Sequence, residues 1–359
     1  MPLTHEMVHS IAYDTDHFSS EGPVVGQLKP SEVPDRIGAP IGPVPPISSD
    51  PPFHNEARRL LLPAFSPKMI DPWRDEVIEI CNKLIDDMGD ADHIDAALQY
   101  SQHIPVMVIA RMLGLPVEDG DRFRGWVNLV LSGIGEERTE ERMAKFEEFN
   151  QYLAYHVNDH MENPREDLIS FLLNAEIMGQ KLSLEHTVGT VILLLIAGID
   201  TTWSGIGSSL WHLASNSVDR RRLVENPDMI PAAIEEFLRA YAPVTMARIV
   251  KEDMEFHGVQ MKQEDWVLLP FPAANRDDKQ FADAHVVQID REENRHAAFG
   301  LGIHRCLGSN LARLEMNVAI EVFLKRFPDF SVDPNEMVTW STGQVRGPRS
   351  LPFVVNARA

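Results

Sequence analysis

The stretch that most restricts this chain begins at Ser183 and runs to about Ala214. Ser183 suits a helix cap, and no charged residue occurs from Thr187 to Ile199. A helix apolar on nearly every side must be buried, so the rest of the chain has to surround it. Gly189 and Gly198 interrupt the uncharged run, which falls short of the ~20 residues a bilayer-spanning helix needs. The expectation is therefore a core helix and no membrane span. Within it stands Ala197-Gly198-Ile199-Asp200-Thr201-Thr202. An acid beside a hydroxyl in an apolar helix is locally unfavourable, and such conflicts mark functional sites. By itself the pair reads equally well as a kink, with Thr201 bonded back to a backbone carbonyl.

Charge and cysteine content exclude some classes. The formal net charge is -21, from Asp+Glu 54 against Lys+Arg 33. That excess argues against nucleic acid and anionic membrane as partners. The only cysteines are Cys81 and Cys306, so no disulfide framework is indicated and a reducing cytoplasm is expected. The length of 359 residues allows one or two domains, and no repeat or interdomain linker divides it.

Cys306 lies in Phe299-Gly300-Leu301-Gly302-Ile303-His304-Arg305-Cys306-Leu307-Gly308. Apolar residues then fall at Leu311, Leu314, Val318 and Val322, a helical spacing that starts near Gly308 and Ser309. Cys306 thus stands at a helix N-terminus, where free N–H groups and the macrodipole favour a thiolate. A lone cysteine is more often a small buried hydrophobe. The whole string, however, resembles the haem-thiolate signature of the cytochrome P450 family.

That resemblance covers nearly the whole chain and carries definite expectations. It implies a mainly α fold, a single domain over residues 1–359 with a minor β region. The family's usual first helix and outer strands have no counterpart ahead of Met1. Cys306 would be the axial ligand of a b-type haem, with Phe299 and Gly308 flanking it. His54 and Arg58, four apart on one helix face, resemble the family's propionate-holding pair, although alone they read as a solvated basic face. Arg248 and His304 would complete that group. Glu236 and Arg239 are three apart and read by periodicity as an exposed ion pair; the resemblance instead buries them with Arg291. Ala197 and Gly198 would leave room for O2, and Asp200 and Thr201 would deliver protons.

The substrate would be a small hydrophobic or aromatic molecule near Val25, Leu194, Val244, Met246 and Thr342. The implied activity is O2-dependent hydroxylation, O-demethylation or epoxidation. Electrons would come from a ferredoxin-type donor with an NAD(P)H reductase, docking near Arg58, Arg59, Lys68, Arg305 and Arg313. Two other readings are a peroxide-driven haem-thiolate enzyme and a non-catalytic haem-binding protein. The first is disfavoured by the acid and hydroxyl pair, which such relatives often lack.

Overall fold

The computed structural model describes residues 1–22, 45–132, 140–341 and 343–358. Two expected pocket residues, Val25 and Thr342, lie outside the described residues. The central helix spans Leu184–Ser215 without a break, and the Ser183 side chain accepts from the His186 N–H. By length and composition it could cross a bilayer, but most of its apolar stretch is buried inside the protein. That is how a core helix behaves.

Its neighbours are the helices His103–Leu113, Gly120–Ser132 and Ser309–Arg326. Close approach is possible because small residues face the contacts. A Cβ added at Gly198 would lie 3.3 Å from Ile109, and one at Gly205 would lie 3.1 Å from the Met316 sulfur. The helix Arg74–Asp87 backs Ser309–Arg326 from outside. Val191, Leu195, Ile206, Leu210, Phe323 and their neighbours form one main core. Each fully buried Leu, Ile or Phe there contributes about 1.5–3 kcal/mol.

The β structure is minor. Thr245–Val250 lies between Phe18–Ser19 and Trp266–Pro270 in an antiparallel sheet, with Phe18 opposite Val250 and Arg248 opposite Val267. Pro352–Ala357 lies between His93–Asp95 and Asp329–Val332 in another. Met254–Phe256 and Val259–Met261 form the small hairpin the alternation predicts, turning through His257 and Gly258 at positive φ. A smaller core joins the helix His5–Tyr13, capped by Thr4, to the first sheet and to Ala297. Ala297 stands just ahead of the cysteine loop, so this core positions that loop.

Candidate active site

The cysteine loop is folded tightly before its helix starts. Gly300 and Gly302 have φ of 73° and 70°, a region that other residues rarely adopt. A Cβ at Gly302 would stand 2.2 Å from the Ala12 carbonyl oxygen. The first helix therefore presses directly on the loop. The Cys306 N–H donates to the Phe299 carbonyl at 2.6 Å, and Gly308 caps the helix Ser309–Arg326.

Cys306 is exposed, whereas Cys81 is buried in the main core with its thiol pushed up to about 12 by burial. The Cys306 sulfur reaches solvent only between crowded protein walls. That crowding is the largest influence and raises its pKa, against the Gly308 N–H, Arg58, Arg305 and Arg313, which lower it. Metal ligation would remove the thiol proton.

Next to this loop four basic side chains gather; the carboxylate nearest in effect, Asp50, acts on His54 and Arg248 but is itself paired with Lys251 at 3.1 Å. His54 is 1% exposed, not part of a solvated face, and its ring lies 4.1 Å from that of His304. The Nε2 atoms of both are buried and have no hydrogen-bond partner among the described residues. Burial, then Arg248, His54 and Arg58, holds His304 down to about 2. Arg248 is 4% exposed; among the described residues its side chain donates only to its neighbour Ala247, at 2.8 Å, and burial lowers its pKa to about 10. Arg58 donates to the Arg305 carbonyl, tying its helix to the cysteine loop. A buried group of this kind is costly unless it meets an anion.

Further from the sulfur, Glu236 and Arg239 are both fully buried, which overturns the periodicity reading. Arg239 forms a fork to Glu236, with Nε to Oε2 and Nη2 to Oε1 both at 2.7 Å. Arg291 donates to Glu236 at 3.0 Å, so the expected third member is present. Sequence reasoning missed two more donors, Asn294 at 3.1 Å and the Gln288 N–H at 2.8 Å. Arg239 also donates to the carbonyls of Asn275, Ala284 and Val286. This network fastens the segment 275–294 that leads into the loop.

On the central helix the open line is Leu193, Ala197 and Thr201, spaced four apart. Ala197 is exposed although its helix is otherwise a core element. Beside it, Gly198 admits Ile109, which a Cβ there would meet at 3.3 Å. Leu194 is 7% exposed and packed in the main core. Leu193 is the one that shares the open line. Thr201 donates to the Ala197 carbonyl at 2.7 Å, the back-bond of the kink reading, yet the helix is continuous. Its one proton is thereby used, and its lone pairs remain free to accept.

Asp200 is 3% exposed and pairs with Arg349 at 2.7 Å, a partner 149 residues away that no local signal announced. Burial raises its pKa, with Arg349 opposing. Val244 bridges to Val345, and the Met246 sulfur meets Gln344 Nε2 at 3.1 Å. The expected basic patch is partly cancelled, because Arg59 pairs with Glu56 at 2.9 Å and Arg313 with Glu235 at 2.6 Å.

These residues fit a haem. An accessible sulfur with one N–H donor suits an iron ligand, and the orphaned Nε2 atoms of His54 and His304 with Arg248 suit two propionates. Comparison with known proteins agrees. Residues 96–345 match the family model "Cytochrome P450". The chain is 35% identical to the polyketide biosynthesis cytochrome P450 PksS of Bacillus subtilis, over 85% of this chain and 76% of that protein. It is 34% identical to the mycinamicin IV hydroxylase/epoxidase of Micromonospora griseorubida, over 93% and 84%. Its fold matches CYP109E1 from Bacillus megaterium in complex with testosterone, with TM-score 0.89 and 32% identity over 99% of this chain and 91% of that one. This chain belongs to the cytochrome P450 family, monooxygenases that use a cysteine-ligated haem.

Proposed function

We propose that Cys306 is the sole protein ligand of the haem iron, and that the enzyme inserts oxygen into a small hydrophobic or aromatic substrate by hydroxylation, epoxidation or O-demethylation. The observation that carries this is the exposed Cys306 beside four basic side chains, none of which forms an ion pair among the described residues. When bound, the haem supplies O2 activation, which thiolate ligation promotes. His54, Arg58, Arg248 and His304 orient it through its propionates. The open line of Leu193, Ala197 and Thr201 gives the substrate an apolar wall. Val244 and Met246 border the same substrate space. Thr201 accepts a hydrogen bond from water or substrate at its free lone pairs. Asp200 holds a proton between Arg349, which is part-exposed, and the interior. Residues 1–359 act as one domain, in the cytoplasm.

Electrons come from a ferredoxin-type donor with an NAD(P)H reductase. Lys68 and Arg305 are exposed cations with no acid partner among the described residues, and they form the core of the docking patch. Complementary charge there raises association rate and makes it salt-sensitive.

The test screens apolar and aromatic compounds for the low-to-high spin shift, then measures turnover with a ferredoxin system and with peroxide. Ferredoxin-dependent product, with Thr201→Ala consuming reductant but releasing hydrogen peroxide, is the expected result. Turnover by peroxide alone, or an unchanged product ratio in Thr201→Ala, would contradict the reading.

A further inference from the structure

A second ionic cluster stands between the cysteine helix and the helix Ile230–Ala240, separate from the Glu236 network. Arg313 forms a fork to Glu235, with Nε to Oε1 at 2.6 Å and Nη2 to Oε2 at 2.8 Å. His296 Nε2 lies 3.1 Å from Glu235 Oε2, and its Nδ1 accepts the Ala298 N–H at 3.2 Å. With Nδ1 accepting, Nε2 carries the N–H that is donated to Glu235. The guanidinium of Arg313 also lies 4.4 Å above the Phe299 ring. Phe299 in turn accepts the Cys306 N–H at 2.6 Å. A continuous chain therefore runs from Glu235 through Arg313 and Phe299 to Cys306.

Two consequences follow from this geometry. The fork fixes Arg313 inward, over Phe299, so it is not a free cation on the docking surface. Arg313 is among the cations that act on the Cys306 sulfur, and Glu235 is the carboxylate paired with it.

We propose that Glu235, His296 and Arg313 are positioning residues that set both the seat of the Cys306 loop and the charge felt at its sulfur, resting on the reading of Cys306 as ligand. Positive charge near the iron favours its reduced form, and groups behind a metal ligand tune the metal in this way.

The experiment uses the haem-loaded full chain. It measures the haem reduction potential by equilibrium titration, and the thiolate-bound fraction of the ferrous carbon monoxide complex. Glu235→Gln keeps the shape and removes the offsetting charge, so the potential should rise. Arg313→Gln removes the cation, so the potential should fall and part of the thiolate form should be lost. Arg313→Lys keeps the charge and loses the fork; it should stay nearer the parent in potential than Arg313→Gln does. It serves in place of Arg313→Gln if that variant does not fold. Shifts of the same sign in Glu235→Gln and Arg313→Gln would mean mere loosening and overturn the inference. So would unshifted potentials in a parent with a thiolate-type spectrum. A parent lacking that spectrum would instead overturn the ligand assignment itself.

Discussion

Behind the cysteine loop, Glu236 and Glu235 are each matched by several donors. Glu236 receives Arg239, Arg291, Asn294 and a backbone N–H, and Glu235 receives Arg313 and His296. On the central-helix side, among the described residues, Ala197 is bare, Thr201 has only its back-bond, and Asp200 has only the part-exposed Arg349. The first side holds one atom, the sulfur, in one place. The second leaves room and a route to water. Substitutions on the two sides should therefore fail differently: the first in stability and haem ligation, the second in coupling.

Glu236→Gln should have the largest effect, because it strands two buried guanidinium groups. Breaking a buried pair costs about 3–5 kcal/mol. Denaturant unfolding of the purified protein checks this, and a loss near zero would mean that the network is dispensable. Gly302→Ala should come next, forcing a non-glycine residue into the left-handed region against the Ala12 carbonyl, at about 1–3 kcal/mol. It should also weaken haem retention. Asp200→Asn should cost less than about 1 kcal/mol, since its partner is part-exposed, yet slow turnover clearly. A large stability loss there would erase the contrast between the two sides.

The smallest effect concerns pH. Burial alone would raise Glu235, but the bonds from Arg313 and His296 win and hold it down to about 2. A carboxylate with a depressed folded-state pKa contributes stability above its unfolded value, lost as pH falls through the folded one. Glu235→Gln should therefore flatten the stability curve between pH ~4.5 and pH ~2. An unchanged acid limb would show that the pairing does not stabilise the fold.

Much of this arrangement was legible in the sequence, because its carriers are local. The Ser183 cap, the apolar run, the hairpin at His257-Gly258 and the glycine-flanked cysteine are all read from adjacent residues. The burial of Glu236 and Arg239 was not readable from periodicity, since what surrounds them comes from residues 275–294. Arg349 could not be found for the same reason: only folding brings it to Asp200. Which residues of the central helix meet its open side is likewise set by helical phase, since adjacent residues such as Leu193 and Leu194 point in different directions.

The central claim is that Cys306 alone ligates the haem iron. The direct measurement is the carbon monoxide difference spectrum of the ferrous, haem-loaded protein in Cys306→Ala and Cys81→Ala. The account predicts that Cys306→Ala loses the thiolate-type band while Cys81→Ala, altered only within the main core, keeps it. Retention of that band by Cys306→Ala would contradict the account.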